Sequence, residues 1–233
     1  MKSFIALCFL AAICAMQASA YNPLDQLKAA VDTSKRNVES IVSDLKRTKT
    51  NLAMTTNSKL SNLRSQSIVN INNIVNPALT EIRASVDAAK AEGKDVEHCY
   101  TTAQDSLRSI SSTAYSGVQT CETTGNSQLQ QKLAPLDTAM ATGQAYLTQL
   151  NSVFLDCYQS NILQMQTCIA IKLGQINQSI RSYQSEVNTL KLNAQRGVND
   201  VTNAAFSCNM EPVSTARSAT TDVRIATNRC IKN

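Results

Sequence analysis

Apolar residues recur along this chain at alternating steps of three and four, the spacing that puts one stripe on a helix. The first run carries Leu24, Val31, Val38, Leu45 and Leu52 at sevens, with Leu27 and Ile41 between them. A second carries Leu79, Val86, Gly93, Tyr100, Leu107, Ala114 and Cys121, with Ile82, Ala89, Val96, Ala103 and Ile110 between. A third runs from Leu129 through Leu136, Gly143 and Leu150 to Cys157. A fourth runs from Ile169 through Ile176, Tyr183, Leu190, Gly197, Val201 and Ala204 to Cys208. A short fifth holds Val213, Ala216, Thr220, Val223, Thr227 and Cys230. A repeat of 3.5 residues goes with supercoiled helices that pack knobs into holes. No stretch alternates with the period of a strand. The expected fold is therefore all-α: an elongated antiparallel helical bundle with coiled-coil-like heptads.

Helix punctuation divides the same runs. Asn22-Pro23-Leu24-Asp25 offers an N-cap, a proline at the first helical position and an acid in the first turn. The same grammar at Asn76-Pro77 predicts that one helix ends near Val75 and another begins at Pro77. Gly125 predicts a C-cap, and Ser127-Gln128-Leu129-Gln130 a capping box that restarts the chain. Pro212 predicts a last start, and Pro135 a kink or a delayed start.

Composition narrows the function. The 233 residues include 6 Gly, 4 Pro, no Trp, one His and only 4% aromatics. Many stripe positions hold Ala, Gly, Ser or Thr, so the expected core is thin. A stripe this narrow fits helix packing better than a lipid-carrying face, which is wider and richer in Leu and Phe. The formal net charge of +5 is spread evenly, without a basic block interleaved with aromatics, so no nucleic-acid partner is expected.

Residues 1–20, MKSFIALCFLAAICAMQASA, read as a signal peptide ending in a small-x-small site at Ala18-Ser19-Ala20. The apolar run is too short for a membrane span. Cys8 and Cys14 would leave with it, and loss of Lys2 would lower the charge to +4. Six cysteines then remain in a secreted chain: Cys99, Cys121, Cys157, Cys168, Cys208 and Cys230. An even number in an oxidising compartment predicts disulfides. No CxxC pair accompanies the single His98, so no metal site is predicted.

Cys99 to Cys121 and Cys208 to Cys230 are each 22 residues apart. Within a straight helix that separation is about 33 Å, far beyond a disulfide. Equal spacing suits a ladder between antiparallel helices, with Cys121–Cys208 as one rung and Cys99–Cys230 as the other. Cys157 and Cys168 would close the bend between the third and fourth segments. The competing arrangement joins Cys99 to Cys157 across a turn at Gly125. Residues 21–92, without cysteines after the signal, read as an N-terminal helical arm, and 93–233 as a disulfide-stapled helical domain.

Catalytic chemistry finds no foothold. There is no G-x-S-x-G, no H-E-x-x-H and no phosphate-cradling glycine loop. No catalytic, cofactor-binding or metal residue is assigned and no cofactor is expected. Asn177-Gln178-Ser179 is the one glycosylation sequon, which makes Asn177 a modification candidate.

The leader, the polar helical body and the six cysteines resemble the TsetseEP-domain family of secreted insect proteins, over about residues 90–231. The resemblance rests on the cysteine framework and composition. It implies an extracellular protein of an insect secretory epithelium and supplies no functional residue beyond the cysteines. The Glu-Pro repeat tail of the family's name-giving member has no counterpart here. Two functions are expected to compete. One is a non-catalytic structural or interaction protein, with self-association or a protein partner through the heptads of Leu24–Leu52. The other is a carrier of a small hydrophobic ligand, with room left by Gly93, Ala103, Gly143 and Gly197.

Overall fold

A computed structural model describes residues 23–232, so the signal-peptide reading of 1–20, with Cys8 and Cys14, lies outside the described residues. Three helices account for nearly all of it: α1 (Pro23–Ala91), α2 (Glu97–Asp156) and α3 (Ile162–Lys232). There is no strand among the described residues. The protein is an all-α, disulfide-stapled helical bundle.

Five expected segments are thus three helices, because three expected breaks are absent and one break that was not expected, at Gly93, is present. Pro77 lies inside α1, Pro135 inside α2 and Pro212 inside α3. Gly125 and Ser127 lie inside α2 as well. A helix-interior proline costs about 3 kcal/mol through its lost N–H and its ring. Packing on both sides of each proline offsets that penalty. Around Pro77, Val75, Ala78 and Ile82 are all buried. Opposite Pro212, a Cβ on Gly117 of α2 would lie 3.1 Å from the proline ring, so the glycine makes room for it.

The true breaks are built by local chemistry. Gly93, expected in the second stripe, instead has φ +86° and stands just past the end of α1. Its N–H donates to Lys90 O at 2.9 Å and that of Lys94 to Ala89 O at 3.2 Å, the paired bonds that close a Schellman motif. At the start of α3, Asn161 Oδ1 accepts from the N–H groups of Leu163 and Gln164, an N-cap. The many hydroxyls do not disrupt the helices because they turn back on them. Thr33, Thr102, Ser106 and Thr227 each donate to the carbonyl four residues earlier, at 2.8–2.9 Å.

Residues 21–92 do not stand apart as an arm, since α1 supplies one helix to each of two compact units. Among the described residues the first unit comprises 23–48 and 136–191. Val31, Val38, Leu150, Val153, Ile169 and Ile180 form its core. Here the sevens hold: Val31, Val38 and Leu45 in α1, Leu136, Gly143 and Leu150 along α2 with Cys157 just past its end, and Leu173, Ile180 and Val187 in α3 are buried. Across helices, Ser34 Oγ donates to Asn177 Oδ1 at 2.7 Å, and Lys191 pairs with Asp44. The Tyr183 hydroxyl donates to Ala139 O at 2.8 Å.

The second unit comprises the described residues 49–135 and 192–232. Its core centres on Ile71, Val75, Ile82, Leu107 and Val118, with a further cluster of Val86, Ala89, Val96 and Cys99. In this unit the buried positions recur at elevens. Thr56, Ser67, Ala78 and Ala89 mark α1; Ala103, Ala114 and Gly125 mark α2; Ala194, Ala205, Ala216 and Thr227 mark α3. Eleven residues in three turns is a longer period than the heptad and is the spacing of right-handed supercoils. The lengthened step explains a misplaced pair of residues. Beyond Val201 the stripe passes to Ala205 and Asn209, leaving the expected Ala204 and Cys208 exposed.

Candidate functional site

The six cysteines form three bridges. Cys99 joins Cys230 and Cys121 joins Cys208 in the second unit, with Cα separations of 5.9 and 5.8 Å. Cys157 joins Cys168 in the first unit at 5.6 Å. The ladder is the pairing, and the Cys99–Cys157 arrangement is not. The common interval of 22 residues now has a physical origin: it is two eleven-residue repeats, six complete turns, so both rungs leave the same face of each helix. Cys99, Cys121 and Cys157 are buried, whereas Cys208 is exposed and Cys230 half-buried.

His98 stands against one rung. Its Nε2 is 3.5 Å from Cys99 Sγ and 3.4 Å from Cys230 Sγ. Both sulfurs are spent in the bridge, so this grouping holds no thiolate for a metal. Beside it, Glu97 links α1 to α2: its carboxylate accepts from Lys90 at 2.8 Å and from Arg83 at 2.7 Å. Those two cations, Lys90 first, hold the Glu97 carboxyl below its ordinary range, and Glu97 in turn raises Arg83. Arg83 also lies over the Tyr100 ring, 4.7 Å from its centroid. The whole cluster fastens the α1–α2 turn.

Asn177, the sequon residue, lies in the interior of α3 and is half-buried. Its amide oxygen is committed to Ser34, as described above.

The small residues expected to leave room for a ligand do not do so in the first unit. A Cβ on Gly143 would lie 2.4 Å from Val42 Cγ2 and 2.6 Å from the Tyr183 hydroxyl. In the second unit a Cβ on Gly197 would lie 2.9 Å from the Lys132 side chain, and Ala103 is packed in the core. These positions allow helices to approach closely. Space occurs elsewhere. A groove of about 540 Å³ lies in the second unit between α1 and α3, lined by Leu63 and Ser67 on one side and by Phe206, Asn209, Met210 and Arg217 on the other.

Asn209 is the unusual member. It is 4% exposed, its Nδ2 donates to Ala205 O at 2.9 Å, and its buried Oδ1 has no hydrogen-bond partner. Nothing in the three-four pattern singled it out, because the heptad phase placed Cys208 on the buried face. The eleven-residue phase would have exposed it as a polar residue in an apolar stripe.

Around the bridged turn of the first unit, Leu155, Tyr158, Ile162 and Leu163 are between 61% and 79% exposed. Among the described residues no helix is long and apolar enough to cross a membrane. The fold defines a class, the disulfide-stapled helical bundle. No family model and no curated protein matches the chain.

Proposed function

We propose that the protein is a secreted, non-catalytic structural or interaction protein of insect epithelial secretions, of the TsetseEP-domain kind. Its cysteines serve as bridges, and many of its hydroxyls are turned onto helix carbonyls. Its charged groups pair along and between helices at the surface, as Arg83, Asp87, Glu97 and Lys90 do. Each of these uses is structural.

The observation that carries the reading is the apolar group Leu155, Tyr158, Ile162 and Leu163, displayed beside a turn that Cys157–Cys168 holds in place. Contiguous exposed apolar side chains mark interaction surfaces. The first stripe of α1 is not available for that purpose, since Val31, Val38 and Leu45 are buried within the chain's own first unit. Self-association is therefore assigned to the turn. Light scattering over micromolar concentrations tests it. The native chain should associate, and Leu155→Ser with Leu163→Ser should return it to a monomer without loss of helix content. A native chain that stays monomeric throughout overturns the assignment.

A second reading, a carrier of a small apolar ligand, is favoured by the groove between α1 and α3. Its volume falls within the range of small-molecule sites, roughly 300–1,000 Å³.

A further inference from the structure

An asparagine inside an apolar stripe requires a reason. A buried acceptor without a donor costs about 1–3 kcal/mol. In coiled coils a seam asparagine fixes register by bonding to its counterpart across the interface. Asn209 does not do this, since the bond it makes is to Ala205 O of its own helix. Its oxygen is left as an acceptor in a residue that lines the groove. The groove also carries a nearly buried hydroxyl at Ser67 and a cation at Arg217 that has no ion pair among the described residues. Leu63, Phe206 and Met210 supply apolar wall, with Phe206 54% and Met210 58% exposed.

The order of these groups along α3 is informative. Phe206 and Met210 flank Asn209, and Arg217 lies eight residues further on, about 12 Å along the helix. An acid at Arg217, a hydroxyl at Asn209 and hydrocarbon beyond it would satisfy each group. We propose that this groove binds a single-chain fatty acid carrying a hydroxyl part-way down its chain. The carboxylate pairs with the Arg217 guanidinium, the hydroxyl donates to Asn209 Oδ1, and the chain lies on Phe206, Met210 and Leu63. On this proposal the groove's side chains yield to let the hydroxyl reach the buried oxygen, and Met210, an unbranched lining side chain with three rotatable bonds, adapts readily. The proposal rests on the carrier reading and adds to it the ligand's chemistry.

The test uses the full secreted chain with its bridges intact, titrated with ricinoleate and with oleate, which differ only in that ricinoleate carries a hydroxyl in place of one chain hydrogen. Ricinoleate should bind about tenfold more tightly, the factor that satisfying one buried acceptor supplies. Asn209→Leu should bring the two within about twofold while raising the thermal midpoint. Arg217→Gln should weaken both acids alike and keep their ratio. Should Asn209→Leu lose helix content by circular dichroism, Asn209→Ala makes the same comparison. Equal binding of the two acids to the native chain overturns the hydroxyl assignment and leaves the carrier reading standing. Binding of neither overturns both. A tenfold preference that survives at Asn209→Leu also overturns the proposal.

Discussion

The two units use the same three helices and solve the packing problem with different periods. In the first, Val31, Val38, Leu45, Leu173, Ile180 and Val187 repeat at sevens and the buried side chains are mostly branched and large. In the second, the elevens place Thr56, Ser67, Ala103, Ala114, Ala205, Asn209 and Thr220 on the buried face. Such residues bury little apolar area, and each polar one has to be satisfied. Cross-links follow the same division. The first unit has one bridge of sequence separation 11, while the second has two, of 131 and 87. Where hydrophobic burial is least, covalent constraint on the unfolded chain is greatest.

The largest expected effect tests that division directly. With Cys99–Cys230 intact, Cys121–Cys208 closes an effective loop of roughly 45 residues, which loop-entropy arguments value at about 4 kcal/mol. The short Cys157–Cys168 loop is worth about 3 kcal/mol on the same scale. Replacing Cys121 and Cys208 together by serine should therefore lower unfolding stability in urea more than replacing Cys157 and Cys168. The reverse order would mean that the thin unit is held by something other than its rungs.

Close approach should matter more in the heptad unit. Gly143→Ala drives a methyl into Val42 and Tyr183, and the predicted loss is about 2 kcal/mol. Gly174, in the same unit, has open space where its Cβ would be, so Gly174→Ala should stabilise by about 0.5–1 kcal/mol through helix propensity. Thermal melts of the two variants should move in opposite directions. A shift of the same sign in both would remove close approach as the role of Gly143.

In the second unit the polar stripe gives a matching handle. Thr220 is buried and its hydroxyl has no partner, in contrast to Thr227, whose hydroxyl donates to Val223 O. Thr220→Val keeps the shape and removes the unsatisfied oxygen, so it should gain about 1 kcal/mol. Thr227→Val should gain less, because it also removes a made bond. Chemical denaturation of both variants against the native chain measures the difference.

How much of this was legible in the residues follows the same line. The helical class, the bridges and the heptads of the first unit can be read because Val, Leu and Ile mark the stripe and 22 is a whole number of turns. The continuity of the helices cannot, since Asn76-Pro77 and Pro212 carry local stop-and-start signals, overridden by the burial of Val75, Ala78 and Ile82 beside the one and by the close fit of Gly117 to the other. The second unit's period is obscured by its own composition. With Ala, Ser and Thr on the buried and exposed faces alike, a seven-residue reading passes through Gly93, Ala204 and Cys208 without conflict. That ambiguity concealed Asn209, and with it the groove.

The smallest effect separates the units by pH. Asp44 of the first unit is held below its ordinary carboxyl range by Lys191 and then by Arg47. Glu97 of the second is held down by Lys90 and then Arg83. A carboxyl whose folded pKa is depressed contributes stability that is complete above its unfolded value and is lost as pH falls through the folded one. Stability should thus decline as pH drops below about 4–5, and no gain should follow on raising pH from neutral through these two groups. Solvent screening keeps the Asp44 contribution to a few tenths of a kcal/mol at most. Asp44→Asn should flatten the acid limb of a urea-midpoint profile, and Asp44→Asn with Glu97→Gln should flatten it further. Because Asp44 joins α1 to α3 and Glu97 joins α1 to α2, adding the second change tests whether the units respond independently. An additive pair of shifts would say that they do, and a double variant no flatter than the single would say that acid opens both together.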